Sequence, residues 1–192
     1  DMSCHLIYYK NGAKMMRPVL TAAEYRNLRN TEKQKAIVNG VRKGDDKMKH
    51  RLLQCNYSRM PNADGTLKGS TQMTTTVGMD VDHIAKEQMQ EVKERILAKK
   101  DELGLLMLEL SARGEGYHLV FKRKEELSQE DNLRWASNLL GVEFDKGAKD
   151  ITRVFFTTTA STEDLIYLDD ELFEQQSAEG ATEFWRIGQI AG

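Results

Sequence analysis

Apolar and polar residues alternate strictly between residues 72 and 82, the period of a β-strand with one face against a core. One face carries Met73, Val77, Met79 and Val81, and the opposite face carries Thr74, Thr76, Gly78, Asp80 and Asp82. Other short runs rich in β-branched and aromatic residues predict more strands. These strands are expected at 5–9, 50–57, 105–111, 117–122 and 151–158.

Capping signals and apolar stripes predict helices between these strands. A Ser or Thr followed three residues later by Glu, Gln or Asp has capping-box spacing, and it occurs at Thr21, Thr31 and Ser128. The first two signals predict helices near 22–29 and 32–42, and the third begins a later helix. Apolar residues at helical spacing predict a further helix over 84–100.

From residue 71 onward the predicted order is β-α-β-β-α-β, the split βαβ unit of ferredoxin-like and RRM-like folds. Right-handed crossovers place both helices on one sheet face, and the other face is left open or covered by another lobe. The first and third strands should be neighbours, with the last strand beside the first. We therefore predict a single α+β domain over 1–192, with an N-terminal α/β lobe at 1–70, the βαββαβ unit at 71–160 and a C-terminal extension at 161–192.

Charge and cysteine content narrow the class of protein. The 192 residues include 28 Lys and Arg against 30 Asp and Glu, a formal net charge of -2. No apolar run is long enough to span a bilayer, so no membrane association is expected. The two cysteines, Cys4 and Cys55, are too few for a disulfide framework or a cysteine-rich zinc site. A reduced, cytoplasmic compartment fits this composition.

The small net charge conceals a basic segment at residues 42–51. It contains Arg42, Lys43, Lys47, Lys49, His50 and Arg51. Such a cluster can follow the phosphates of a nucleic-acid strand, so its lysines and arginines are candidate template contacts. The alternative is a solvated surface stretch without a binding role.

Asp80 and Asp82 lie two residues apart, so both carboxylates leave the same face of their predicted strand. Carboxylates this close repel each other, and a divalent cation removes the repulsion. Mg²⁺ binds one or two carboxylates and completes its shell with substrate phosphates. The pair is therefore a candidate site for Mg²⁺ or Mn²⁺, with solvated acids at a strand end as the alternative.

His118 is expected on the same open sheet face as the acid pair, because Tyr117 and Leu119 point the other way. There it could reach a metal-bound triphosphate; a hydrogen-bonded histidine without a ligand is the alternative. The turn before it, Ser111 to Gly116, contains Arg113, Gly114 and Gly116. Glycine N–H groups and a guanidinium suit phosphate oxygens, and an ordinary glycine-containing hairpin is the alternative.

A third group of charged residues precedes the last predicted strand. Either Asp145 or Asp150 could supply a third metal ligand, and Arg153 could pair with a phosphate or a carboxylate. A surface turn with an Asp–Arg bridge is the alternative.

Three segments, read in order, resemble the archaeo-eukaryotic primase superfamily. They are Val77-Gly78-Met79-Asp80-Val81-Asp82, then Ser111-Ala112-Arg113-Gly114-Glu115-Gly116-Tyr117-His118, then Phe144-Asp145 with Asp150-Ile151-Thr152-Arg153. They are similar to an apolar strand ending in Asp-x-Asp, a Ser-x-His-type motif and a later apolar-Asp motif. Over roughly 47–160 the chain resembles the VirE N-terminal domain family, primase-polymerase-like modules of bacterial mobile elements. Ala112-Arg113 departs from the usual small-polar pair before the glycine.

The resemblance implies a primase-polymerase fold, in which the N-terminal lobe covers the open sheet face. It implies nucleotidyl transfer with two Mg²⁺ or Mn²⁺ ions, for primer synthesis or template-directed extension in replication of a mobile element. Catalysis would involve Asp80, Asp82 and His118, metal binding Asp80, Asp82 and Asp145, and nucleotide binding Ser111, Arg113, Gly114, Gly116, His118 and Arg153. The expected partners are nucleoside triphosphates, single-stranded or primed DNA and, in the full-length protein, a helicase domain.

Two other functions fit the same pattern. An RRM-like module that binds single strands has the same element order, but it needs exposed aromatic residues where this chain has Asp80, Asp82 and His118. A catalytically inactive primase-fold scaffold would keep the motifs without turnover.

Overall fold

The computed structural model describes residues 3–173 and shows a mixed α+β fold with two antiparallel sheets. In chain order the strands are β1 (His5–Lys10), β2 (Ala13–Pro18), β3 (Gln54–Asn56), β4 (Thr76–Val81), β5 (Leu105–Leu110), β6 (Tyr117–Lys122), β7 (Phe155–Phe156) and β8 (Leu165–Leu168). The helices are α1 (Ala22–Arg29), α2 (Glu32–Arg42), α3 (Met89–Ala98), α4 (Lys100–Leu103) and α5 (Gln129–Leu140). The first sheet has the strand order β2-β1-β3-β7, and the second has the order β4-β6-β5-β8.

The predicted helix starts are confirmed by their caps. Thr21 Oγ1 accepts the N–H of Glu24, Thr31 Oγ1 accepts the N–H of Gln34, and Ser128 Oγ accepts the N–H of Asp131. Each cap satisfies one of the N–H groups that a helix leaves unpaired at its start. Helices α1 and α2 consequently have the bounds that the capping signals predict.

The second sheet is covered on both faces. On one face, Val77 and Met79 of β4 and Leu119 of β6 pack with residues of α3 and α5 such as Ile96 and Leu133. On the other face, Leu106, Met107 and Val120 form a second core with residues of the N-terminal lobe (residues 3–70). The residues of that lobe in this core are Cys4, Leu6, Val19, Tyr25, Cys55 and Tyr57. The face opposite the helices is therefore covered by the N-terminal lobe rather than open to water.

The last predicted strand, 151–158, is wrong in both length and partner. Only Phe155 and Phe156 form a strand, and they pair with β3 of the first sheet instead of the Asp80 strand. The Asn56 side chain donates to the backbone carbonyls of Ile151 and Arg153, so these groups are satisfied outside any sheet. The strand beyond β5 is β8, which lies in the segment predicted as a C-terminal extension.

Two other boundaries differ from the sequence prediction. The strand predicted at 50–57 is confined to Gln54–Asn56, and residues 46–51 form a 3-10 helix instead. Met48 and Leu52 pack there with Ile37 and Val41 of α2. The predicted helix over 84–100 is divided into a 3-10 turn at 86–88, α3 and α4. Within residues 3–173, no helix is long and apolar enough to cross a membrane.

Candidate functional site

The site begins with the pairing of β4 and β6, which places Asp80 directly opposite His118. Opposite residues in an antiparallel pair project to the same sheet face, so both side chains point away from α3 and α5. The predicted adjacency of these two strands is therefore confirmed. Asp80 Oδ1 lies 3.7 Å from His118 Nε2, which is beyond hydrogen-bond distance but close for two charged groups.

A cleft of about 460 Å³ opens beside this pair. It is lined by Lys49, Asp80, Asp82, His83, Ser111, Ala112, Arg113, His118, Arg153, Val154, Phe155 and Phe156. Both lobes and both sheets contribute to its walls. Seven of the residues that the sequence singled out thus meet in one cavity: Lys49, Asp80, Asp82, Ser111, Arg113, His118 and Arg153. Asp145, Asp150, the two turn glycines and the rest of the basic segment do not line it.

Two glycines make the cleft possible by allowing close packing. A Cβ on Gly78 would lie 2.6 Å from Phe155 Cε2, so only glycine leaves room for the ring that forms the floor of the cleft. A Cβ on Gly116 would collide with the backbone carbonyl oxygen of Val81, which holds the turn against the end of β4. The same ring of Phe155 meets the His118 ring edge-on, with centroids 5.1 Å apart.

Arg153 lies between two of the predicted metal ligands. Its Nη2 is 3.0 Å from Asp80 Oδ2 and 3.0 Å from Asp145 Oδ2. Burial raises the pKa of Asp80, and the nearby His118 and Arg153 charges counteract part of that effect. The Gly147 N–H and the Arg153 charge lower the pKa of Asp145.

Asp145 lies beside the end of the Asp80 strand, although the last predicted strand does not pair there, because the Asp145 N–H donates to the carbonyl of Asp80 at 2.8 Å. Its carboxylate contacts the cleft residue Arg153 and does not itself line the cavity. Asp150 instead uses its carboxylate to accept the N–H of Thr152 within a turn. Of the two alternatives for the third acid, Asp145 is the one close to Asp80.

The turn before His118 is closed by its own hydrogen bonds. Ser111 Oγ accepts the N–H of Gly116, and the Ser111 carbonyl accepts the N–H of Gly114. These two N–H groups are already engaged, so the geometry does not support a phosphate contact by either. The prediction for Gly114 and Gly116 is corrected accordingly: Gly116 permits close packing against β4, and Gly114 adopts a φ of 77°.

Arg113 lines the cleft, and its guanidinium pairs with Asp46 of the N-terminal lobe. The Nε–Oδ1 distance is 2.6 Å, and Nη2 contacts Oδ2 as well. Both side chains are about half exposed, so water weakens the pair. Arg113 can therefore exchange Asp46 for an anionic ligand at small cost.

The basic segment is divided by the structure. Arg42 donates to the carbonyls of Ser111 and Ala112, and its Nη1 lies 2.8 Å from Asp164 Oδ1, so it supports the turn from behind. This internal engagement argues against the predicted template contact for Arg42. Lys49 lines the cleft, with its ammonium 5.6 Å from the Phe156 ring. The remaining candidates, Lys43, Lys47 and Arg51, are exposed and lie outside the cleft lining.

Among residues 3–173, no group of three or more His, Cys, Asp or Glu side chains is arranged to hold a metal ion. The chemistry of the carboxylates nevertheless fits a hard cation. Asp80 and Asp82 line one cleft, and Asp80 and Asp145 already share one positive group, the Arg153 guanidinium. A divalent ion would take over part of the neutralisation that Arg153 now provides.

Sequence reasoning missed two charged residues behind the cleft. Glu109 is completely buried in β5, where Oε2 lies 3.2 Å from His118 Nδ1, and Oε1 lies 2.9 Å from Arg29 Nη2. Burial alone would raise the pKa of Glu109, but the Arg29 charge and bonds from His118 and Thr158 lower it to about 2. A lone acid within the apolar run Leu105 to Leu110 was the available signal, because buried charges require partners.

His83 and Phe156 also line the cleft, and no sequence pattern predicted their position there. Comparisons of the chain with protein-family models, with curated proteins and with solved structures find no match.

Proposed function

We propose that this protein is a primase-polymerase-type nucleotidyltransferase, which extends or primes nucleic acid on a DNA template with Mg²⁺ or Mn²⁺. The observation that supports it most is the shared cleft. Asp80, Asp82, His118, Arg113 and Arg153 come from separate elements and line one cavity. Its volume of about 460 Å³ is within the range of sites for small ligands.

The distribution of charge in the cleft suits a nucleoside triphosphate bound through a cation. Asp80 and Asp82 form one side, and Lys49, Arg113 and Arg153 supply positive groups around them. Arginine can bind two phosphate oxygens at once, and the pair that Arg113 forms with Asp46 is exposed. Acids with adjacent cations are what a metal-bound polyphosphate requires.

Asp80 and Asp82, with Asp145 nearby, would hold the divalent ions, which when bound neutralise phosphate charge and lower the pKa of an attacking hydroxyl. Arg153 would release part of its hold on the acids and turn to the phosphates. His118 presents Nε2 towards Asp80, and in its protonated, imidazolium form it can donate from this atom to a phosphate oxygen. The chain itself thus orients the polyphosphate and supplies positive charge around it.

The cleft also has an apolar wall suited to a base. Phe156 is half-buried at the cleft, beside Lys49, and the His50 ring meets it edge-on at 5.6 Å. Bases stack on aromatic side chains without strong sequence preference. A nucleotide could therefore place its phosphates near Arg113 and its base near Phe156.

The RRM-like alternative conflicts with the covered sheet. Single strands bind an RRM through aromatic residues on an exposed sheet face. Here that face is packed against the N-terminal lobe, and it presents Asp80 and His118 to the cleft. A catalytically inactive scaffold does not require an exposed sheet face. Only an assay of nucleotide incorporation distinguishes it from the proposed enzyme.

The test is incorporation of labelled nucleotides on single-stranded and primed DNA with Mn²⁺ or Mg²⁺. Asp80→Asn should lower the rate of incorporation by at least about 100-fold. The Asp80 carboxylate would hold the divalent ion that neutralises phosphate charge during the transfer. Asp101→Asn, at an exposed acid of α4, is the matched control and should keep the wild-type rate. Equal incorporation by Asp80→Asn and wild type would refute the proposal, and DNA binding insensitive to chelators without incorporation would favour a binding module.

A further inference from the structure

Glu109 connects the candidate site to the N-terminal lobe through both of its carboxylate oxygens. Oε2 faces His118 Nδ1 at 3.2 Å. Oε1 accepts the N–H of Thr158 at 3.1 Å and its hydroxyl at 3.0 Å, and it lies 2.9 Å from Arg29 Nη2. This carboxylate has no exposed surface, so its charge is balanced by these partners.

Arg29, at the end of α1, is as deeply buried as the acid that it neutralises. Its Nε and Nη2 donate to the carbonyl of Thr159, Nη1 donates to the Tyr25 hydroxyl, and Nη2 also reaches Thr158 Oγ1. Only about 1% of its side chain is exposed. The guanidinium fork therefore fixes Glu109 from the side opposite to His118.

The contact with Glu109 determines which nitrogen of His118 faces the cleft. An ionised carboxylate only accepts hydrogen bonds, so Nδ1 must carry a proton to bind it. The pKa of Glu109, about 2, keeps this carboxylate ionised. Nε2 is then the ring atom directed towards Asp80, and the edge of Phe155 packs against the ring and restricts its rotation.

We infer that Glu109, held by Arg29, is a positioning residue that fixes the tautomer and the ring orientation of His118 so that Nε2 faces the cleft. The effect on turnover rests on the proposed function, whereas the contact itself does not. A buried carboxylate that orients a histidine from behind is a recurrent way to keep its outer nitrogen available.

The first test is a nuclear magnetic resonance measurement on wild-type protein with ¹⁵N-labelled histidine. A proton on Nδ1 of His118 should be visible far downfield and exchange slowly with water. Glu109→Gln should shift this signal or remove it, while the signals of His5, a buried histidine in the first sheet, stay unchanged. Absence of an Nδ1 proton on His118 in the wild type would overturn the inference even if no variant folds.

The second test compares two matched carboxylate-to-amide changes in the incorporation assay. Glu109 and Glu24 both lie within 3 Å of an arginine from the N-terminal lobe, and Glu24, in the first turn of α1, is not among the residues that line the cleft. Glu109→Gln should lower kcat about 10- to 100-fold with little change in KM for the nucleotide. Glu24→Gln should leave kcat unchanged within error.

The outcomes separate the inference from the proposed function. If Glu109→Gln keeps the wild-type rate while His118→Ala loses it, the positioning role is overturned and the proposed function stands. If the wild type incorporates no nucleotide, the proposed function fails. The inference about Glu109 is then tested by the Nδ1 proton of His118 alone. A protected proton that depends on Glu109 then supports the inference, and its absence overturns it.

Discussion

Among the arginine–carboxylate pairs that join the N-terminal lobe to the region around the cleft, Arg29–Glu109 and Arg113–Asp46 have opposite environments. Arg29 and Glu109 are about 1% and 0% exposed, whereas Arg113 and Asp46 are about half exposed. The same two functional groups therefore have different consequences. The buried pair is part of the fold and fixes His118, while the exposed pair can open and free Arg113 for a ligand.

The largest expected effect comes from removing one partner of the buried pair. Arg29→Met leaves the Glu109 charge buried without its cation, which should cost about 3–5 kcal/mol of unfolding free energy. Urea denaturation measures this loss. The double variant Arg29→Met/Glu109→Leu should be less destabilised than the sum of the two single changes. Additive losses would show that the two side chains do not act as a pair.

The next largest effect should be a loss of stability at low pH, which acts through Glu109 of the buried pair. Because the pKa of Glu109 is about 2 in the folded state against an ordinary value of 4.5, its contribution is complete above pH 4.5 and is lost as the pH falls towards 2. The loss should be about 3 kcal/mol. Denaturation of wild type and Glu109→Gln at a series of pH values measures it. Parallel curves for the two proteins would contradict the assignment.

The exposed pair should affect binding more than stability. Arg113→Ala should raise KM for the nucleotide about tenfold, because a charge-assisted phosphate contact is lost, without a measurable change in the denaturation midpoint. Arg134→Ala is the control, since this arginine is also exposed and paired with an acid, but lies on α5 away from the cleft. An equal rise in KM for both variants would show a general charge effect.

The smallest expected effect is on the competition between Asp46 and a phosphate for Arg113. Asp46→Asn should lower KM for the nucleotide a few-fold at low salt, and the difference from wild type should vanish near 1 M salt, where charges are screened beyond about 3 Å. Steady-state kinetics at two salt concentrations measure this. A higher KM in Asp46→Asn would indicate that the acid holds Arg113 in its binding position.

The sequence was informative where one pattern determined one structure. Thr21 and Thr31 fixed the helix starts, and the short turn before His118 made β5 and β6 neighbours; these features depend on nearby residues only. The pairing of the Asp80 strand with the His118 strand followed from the order of elements and the right-handed crossovers. Together with the alternation around Asp80, these features were sufficient to bring Asp80 and His118 together on one face.

The sequence was uninformative where an apolar segment had more than one possible partner. The run around Phe155 and Phe156 could pair with either sheet, and its place beside β3 depends on the Asn56 bonds and on the space above Gly78. Glu109 gave too weak a signal for the same reason. Its partner Arg29 is 80 residues earlier in the chain, and no local pattern connects them.

The strand order determines how the protein should respond to proteolytic cleavage and to division into fragments. The chain forms β1 to β3 in the first sheet and β4 to β6 in the second, and it then returns to the first for β7 and to the second for β8. A single proteolytic cut between the two halves would therefore leave pieces that remain associated. The N-terminal half alone would lack β7, the fourth strand of its sheet, and the C-terminal half alone would keep the second sheet but leave β7 without its partner β3. Mixing the two separately made fragments should therefore restore the first sheet, which neither fragment can complete by itself.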